Sequence, residues 1–127
     1  MSESYTFESV EFFRAGTVGD PGERVFYIQI ENNGVTFSFR CEKMQVAALG
    51  EQLARLLNSL PTTDYLPTAP GVFVEPVTDE WTIADIILAH DEQNGRLVVR
   101  LSGLSLEGQN AATATTSITR EQAQAFT

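Results

Sequence analysis

Arg14-Ala15-Gly16-Thr17-Val18-Gly19-Asp20-Pro21-Gly22-Glu23-Arg24 opens the stretch that decides the fold, which runs on to Leu60. Glycines at 16, 19 and 22 and proline at 21 interrupt the chain between two strand-like runs. In Asp20-Pro21-Gly22-Glu23, proline in the second position and glycine in the third predict a type II turn. Arg24 to Glu31 then alternates, with Phe26, Ile28 and Ile30 on one side and Tyr27 and Gln29 on the other. Asn32-Asn33-Gly34 predicts a tight hairpin, because Asn-Gly accepts the positive φ of a type I′ turn. Val35, Phe37, Phe39 and Cys41 share the next apolar face, opposite Thr36, Ser38 and Arg40. From Met44 to Leu60 the period changes: Val46, Leu49, Leu53, Leu56, Leu57 and Leu60 recur at helical spacing and make one apolar stripe. Glu42 near the start suits the helix dipole, and Pro61 stops the helix.

Outward from this stretch the signals weaken. Tyr5 to Ala15 reads as a strand, but Phe7, Val10, Phe12 and Phe13 do not fall on one face, which predicts a bulge or a strand covered on both sides. Pro61 to Pro76 holds four of the five prolines and reads as an irregular connector. Trp81 to Ala89 is strand-like, Asp91 to Gly95 is a second turn ending in Asn-Gly, and Arg96 to Leu101 alternates, with Leu97, Val99 and Leu101 together. Ala111 to Ile118 is a weaker strand, rich in alanine and threonine. Thr119-Arg120-Glu121-Gln122 fits a capping box, with Thr119 as N-cap and Gln122 reaching back. A helix of about two turns is marginal alone, because nucleation is costly; the expectation is that the natural protein continues. The fold expected is α+β: an antiparallel sheet, or two facing sheets, of about six strands built from hairpins. One long helix, about 42–60, packs on it, and a short helix starts at the C-terminus.

The 127 residues make one domain, and at 43% hydrophobic they can bury a core. The net charge of −9 and pI near 4.4 argue against a sequence-independent grip on nucleic acid or an anionic membrane, both of which reward clustered lysine and arginine. No apolar run reaches the length of a membrane helix, and the N-terminus lacks the regions of a signal peptide. A cytoplasmic protein is expected. One cysteine permits no internal disulfide, and with one histidine it cannot supply a zinc site of thiolates and imidazoles. Folding without metal or cofactor is expected.

The one suggestive loop is Gly16 to Arg24. Its glycines would let backbone N–H groups approach an anion, and Arg24 could grip a phosphate or carboxylate. Glu42-Lys43 stands at the helix start, where a ligand's negative charge is favoured. Gly16, Thr17, Gly19, Asp20, Gly22, Arg24 and Lys43 are therefore the candidate ligand-binding residues. A plain hairpin turn and a solvated helix start explain the same residues, and the loop lacks the Lys-Ser ending of a P-loop. His90-Asp91-Glu92 carries acid and base groups, but no nucleophile stands in a recognisable context, so no catalytic residue is assigned. Cys41, on an apolar face, reads as a buried thiol. Trp81 reads as core or rim packing, and Glu75, Asp79, Glu80 and Asp85 lack calcium-loop spacing and read as a solvated acidic edge.

Beyond these readings, Ala15-Gly16-Thr17-Val18-Gly19-Asp20-Pro21-Gly22 with Arg24, Phe26, Tyr27 and Gln29, then Glu42-Lys43, Gln45-Val46-Ala47 and Leu49, resemble an actinobacterial family known only as a domain of unknown function. Weaker matches follow at Pro76-Val77, Trp81, Leu88, Asp91 and Thr119 to Phe126. The chain departs where the family usually has proline, at Val10, and arginine, at Phe12. Longer members of that family end in a cysteine-rich, zinc-knuckle-like segment that this sequence lacks, so no metal role carries over. The resemblance implies a setting near a kinase-like protein and a histidine-type phosphatase, and hence a protein partner. A non-enzymatic binding or interaction module is the favoured reading; the alternative is a domain that binds or acts on a phosphorylated small molecule through Gly16–Arg24. A scaffold that dimerises by sheet edges is the third.

Overall fold

The computed structural model describes residues 4–60, 71–75, 77–104 and 111–127. Strands β1 (Ser4–Phe7), β2 (Phe12–Val18), β3 (Val25–Asn32) and β4 (Val35–Cys41) precede helix α1 (Lys43–Ser59). Strands β5 (Asp79–Asp91), β6 (Arg96–Gly103) and β7 (Thr113–Ile118) and helix α2 (Arg120–Phe126) follow it. Among the described residues there is one seven-stranded sheet, in the order β1-β7-β6-β5-β4-β3-β2.

The hairpins form where the turn chemistry demands them. Asn33 and Gly34 take φ values of 54° and 77°, as a type I′ turn requires, and β3 and β4 pair from Asn32↔Val35 to Phe26↔Cys41. Gly95 takes φ 64° in the β5–β6 turn. The α+β class stands, but the sheet is mixed rather than antiparallel and has seven strands rather than about six. β4 and β5 run parallel, because the chain between them crosses over through α1. β1 runs parallel to β7 at the far edge. The expected strand from Tyr5 to Ala15 is thus two strands, broken at residues 8–11, whose halves lie at opposite ends of the sheet. Separate partners explain why its apolar residues did not share a face.

The sheet is strongly rolled. Three strands separate β1 from β4 in sheet order, yet the Tyr5 and Phe7 rings lie 5.2 and 5.1 Å from the Phe37 ring. The inner face carries Phe13, Ile28, Ile30, Phe39, Cys41, Leu97, Val99, Leu101, Ala114 and Ile118, all buried. Against it α1 buries Leu49 and Leu53, with Val46, Leu56, Leu57 and Leu60 packed around them, the stripe read from the sequence. Each fully buried leucine contributes about 1.5–3 kcal/mol. Gln45 ties the helix start in place: its Oε1 accepts from the Glu42 N–H at 2.7 Å, and its Nε2 donates to the Ile83 carbonyl at 3.3 Å. Leu60 ends the helix with extended backbone, which the following proline favours.

Helix α2 is seven residues long, the two turns expected, and its capping box forms as the sequence implies. Gln122 N–H donates to Thr119 Oγ1 and Thr119 N–H to Gln122 Oε1, each at 3.0 Å. Packing stabilises so short a helix: Ala123 is fully buried, the Phe126 ring meets Phe13 at 5.1 Å, and Gln122 Nε2 donates to the Val10 carbonyl at 2.7 Å.

Candidate functional site

The outer face of β2, β3 and β4 holds the most unusual chemistry of the described residues. Alternation sends Phe12, Arg14 and Gly16 outward from β2, Tyr27, Gln29 and Glu31 from β3, and Ser38 and Arg40 from β4. A polar face of this kind would ordinarily meet water. Here Arg14, Gln29 and Ser38 are only 2%, 0% and 2% exposed, and residues 71–75 lie against this face as a strap. Gln29 is the centre. Its Oε1 accepts from Arg14 Nε at 3.0 Å and from the Val74 N–H at 3.0 Å. Its Nε2 donates to the Val74 carbonyl at 2.9 Å and to Ser38 Oγ at 3.1 Å. One carboxamide therefore holds both backbone groups of a single strap residue.

Arg14 is satisfied in part. Its Nη2 pairs with Glu31 Oε1 at 3.1 Å, and its guanidinium carbon lies 5.7 Å from the centre of the Phe12 ring, within cation–π range. Its Nη1 is buried and has no hydrogen-bond partner among the described residues. Gly71 sits directly above, with φ +84°; a Cβ there would stand 3.1 Å from Nη1 and 2.6 Å from the Phe12 ring. Glycine at 16 has a similar cause: the Phe73 ring fills the space a Cβ would need, and it also meets Tyr27 with ring centres 6.4 Å apart.

The candidate loop residues are distributed around one end of the sheet. Gly16 faces outward under Phe73, whereas Thr17, paired with Phe26, faces inward, so these two do not share a face. Residues 19–24 are exposed. Asp20 accepts the Glu23 N–H at 2.9 Å and Gly22 takes φ 90°, which is the type II turn expected. Gly19 also has positive φ, at 109°. Arg24 is exposed, as is Lys43 at the first position of α1; strand register sets both at the same end of the sheet. Arg14, by contrast, is carried into the buried outer network.

The remaining chemical groups are engaged locally. Glu11 accepts from the N–H groups of Asn33 and Gly34, at 2.9 and 3.1 Å, and these bonds hold its carboxyl below the usual range. Asp91 accepts from the Asn94 side chain at 2.8 Å, which lowers its pKa as well. The half-buried His90 has an Nε2 without a partner among the described residues. Burial, with the Glu42 charge second, pushes the Cys41 thiol up to about 12, far from a reactive thiolate. Glu80 accepts from the Tyr5 hydroxyl at 3.1 Å, Asp85 accepts from the adjacent Ile86 N–H, and Trp81 packs on Phe39 at 4.7 Å. Asp79's side chain, residues 61–70 and Pro76 of the connector lie outside the described residues. Among the described residues there is no group of three or more potential metal ligands, and no helix long and apolar enough to cross a membrane.

Sequence reasoning missed the network because Arg14, Gln29 and Ser38 sit in the polar phase of alternating strands. A signal was present: glycine inside a strand, as at Gly16, marks close approach of another group. Fold and site together define an α+β domain whose rolled mixed sheet holds residues 71–75 against its outer face. By its sequence the chain belongs to a family described as protein of unknown function (DUF3090), whose model matches residues 5–127. No curated protein and no solved structure matches it.

Proposed function

We propose that this domain is a non-enzymatic binding module that recognises another polypeptide through the outer face of β2–β4. The observation that supports the reading is the double hydrogen bond from Gln29 to the main chain of Val74. Side-chain groups that hold backbone N–H and C=O read extended chain independently of its sequence, the logic of strand addition. A cytoplasmic setting goes with this reading, as do the kinase-like and phosphatase-like proteins that the resemblance implies as first partners to test. So does an actinobacterial source.

A second reading rests on Arg24 and Lys43, exposed at one end of the sheet beside the positive-φ glycines 19 and 22. There a phosphorylated small molecule would meet two cations and a glycine turn. Two measurements separate the readings. Selection of displayed random peptides on the folded protein should enrich extended sequences whose binding Gln29→Leu weakens. Thermal melts in phosphate or a sugar phosphate should show no shift that Arg24→Ala abolishes. Failure to enrich any peptide, together with an Arg24-dependent phosphate shift, would replace the first reading with the second.

A further inference from the structure

We infer that the strap 71–75 is a stand-in occupant of a groove that takes an extended segment of a partner polypeptide, and that the preferred segment carries a short side chain with an acceptor oxygen where Gly71 now lies. The inference rests on the binding-module reading and names its ligand.

The strap is held as a bound peptide would be. One carboxamide grips the main chain of Val74, and one ring, Phe73, enters a notch that exists only because residue 16 has no Cβ. Val72 and Val74 remain exposed, at 85% and 39%. The groove therefore specifies an aromatic side chain at one position and plain backbone at the next, and asks little of the flanking side chains.

The strap also leaves the groove unfinished. Arg14 is 2% exposed and its Nη1 finds no acceptor among the described residues. Buried donors are normally paired, so an orphan on a guanidinium marks a place where an acceptor belongs. Gly71, on which a Cβ would stand 3.1 Å from this nitrogen, has no side chain to offer. The strap cannot gain one, since at its φ of +84° a Cβ would be driven into the Phe12 ring. A segment arriving from a second molecule is not tied to that backbone conformation. An asparagine or aspartate there would bring its oxygen to Nη1.

The test uses capped, fluorescently labelled pentapeptides: Gly-Val-Phe-Val-Glu, copied from the strap, and Asn-Val-Phe-Val-Glu, which adds the acceptor without changing charge. Binding is read by anisotropy on Phe73→Ala, which empties the notch, after circular dichroism confirms that it is folded. The strap peptide should bind Phe73→Ala saturably and the wild type at least about tenfold more weakly, since the resident strap competes by mass action. The asparagine peptide should bind about fivefold tighter, the worth of one hydrogen bond. Adding Gly16→Val, which fills the notch, should abolish both. Should Phe73→Ala not fold, the same peptides are titrated into the wild type while the Val74 amide resonance is followed; saturable displacement is expected. Equal binding with and without Gly16→Val, or none, overturns the groove, and equal affinity of the two peptides overturns the acceptor. Displayed peptides that bind regardless of Gly16→Val would leave the module reading standing and this inference refuted.

Discussion

Replacing Gln29 by leucine should destabilise the domain out of proportion to the size of the change. Leucine is close to glutamine in shape, so the loss is one of hydrogen bonds rather than volume. Four go: to Arg14 Nε, Ser38 Oγ, and the N–H and C=O of Val74. Arg14 and Ser38 are buried and would each be left stranded, at about 1–3 kcal/mol apiece. The two Val74 groups can turn to water when the strap lifts, so each costs nearer 0.5–1.5 kcal/mol, roughly the net worth of an exchanged bond. Allowing for relaxation, the total is about 3–6 kcal/mol, a large share of the roughly 5–15 kcal/mol that holds a domain together. The assay is urea unfolding followed by the fluorescence of Trp81, whose ring lies against Phe39 in the core. With a slope of about 1–3 kcal/mol per molar urea, the midpoint should fall by about 2 M with the slope unchanged. A fall of less than about 0.3 M would refute the reasoning, because it would mean that the network stabilises nothing.

Leu53, fully buried on α1, should not tolerate Leu53→Asp: a buried unpaired charge costs several kcal/mol, and a soluble variant with unchanged melting temperature would refute the helix face assigned. Gly22→Val should cost about 1–2 kcal/mol in a urea melt, because Gly22 holds positive φ where a Cβ is strained, whereas exposed Arg24→Ala should change stability by well under 1 kcal/mol. Cys41 should resist iodoacetamide at pH 8 in the folded protein and react fully in urea. Burial raises its folded pKa to about 12, above the ordinary thiol value of 9.0, so its contribution to stability is complete below pH 9 and is lost as pH rises toward 12, seen as a falling melting temperature that Cys41→Ala does not share.

Local chemistry was legible and long-range partnership was not. The Asn33-Gly34 and Asp20–Glu23 turns, the α1 stripe and the Thr119 capping box all follow from residues a few positions apart, and each formed as read. The destination of β1 did not follow, because nothing near Tyr5 and Phe7 encodes a parallel partner more than a hundred residues away. Nor did the parallel β4–β5 pair, since a proline-rich connector between α1 and β5 does not reveal which sheet edge the chain returns to. The outer network was hidden for a related reason. Arg14, Gln29 and Ser38 alternate to the side that water normally wets, yet they are buried there, with residues 71–75 seated against that side. Gly16, Tyr27 and Gln29 belong to the motif that carries the family resemblance, and the outer face assigns each of them a contact with the strap.

Gln29 holds the main chain of Val74 against the outer face of β2–β4, and amide hydrogen exchange at Val74 tests this most directly. The Val74 side chain is partly exposed, but its N–H is bonded to the buried Gln29 carboxamide. Val74 should therefore exchange far more slowly than a free peptide amide in the wild type. It should lose that protection in Gln29→Leu while the amide of Ile28, midway along β3 between β2 and β4, stays protected. Exchange of the wild-type Val74 amide at the free-peptide rate would contradict the claim.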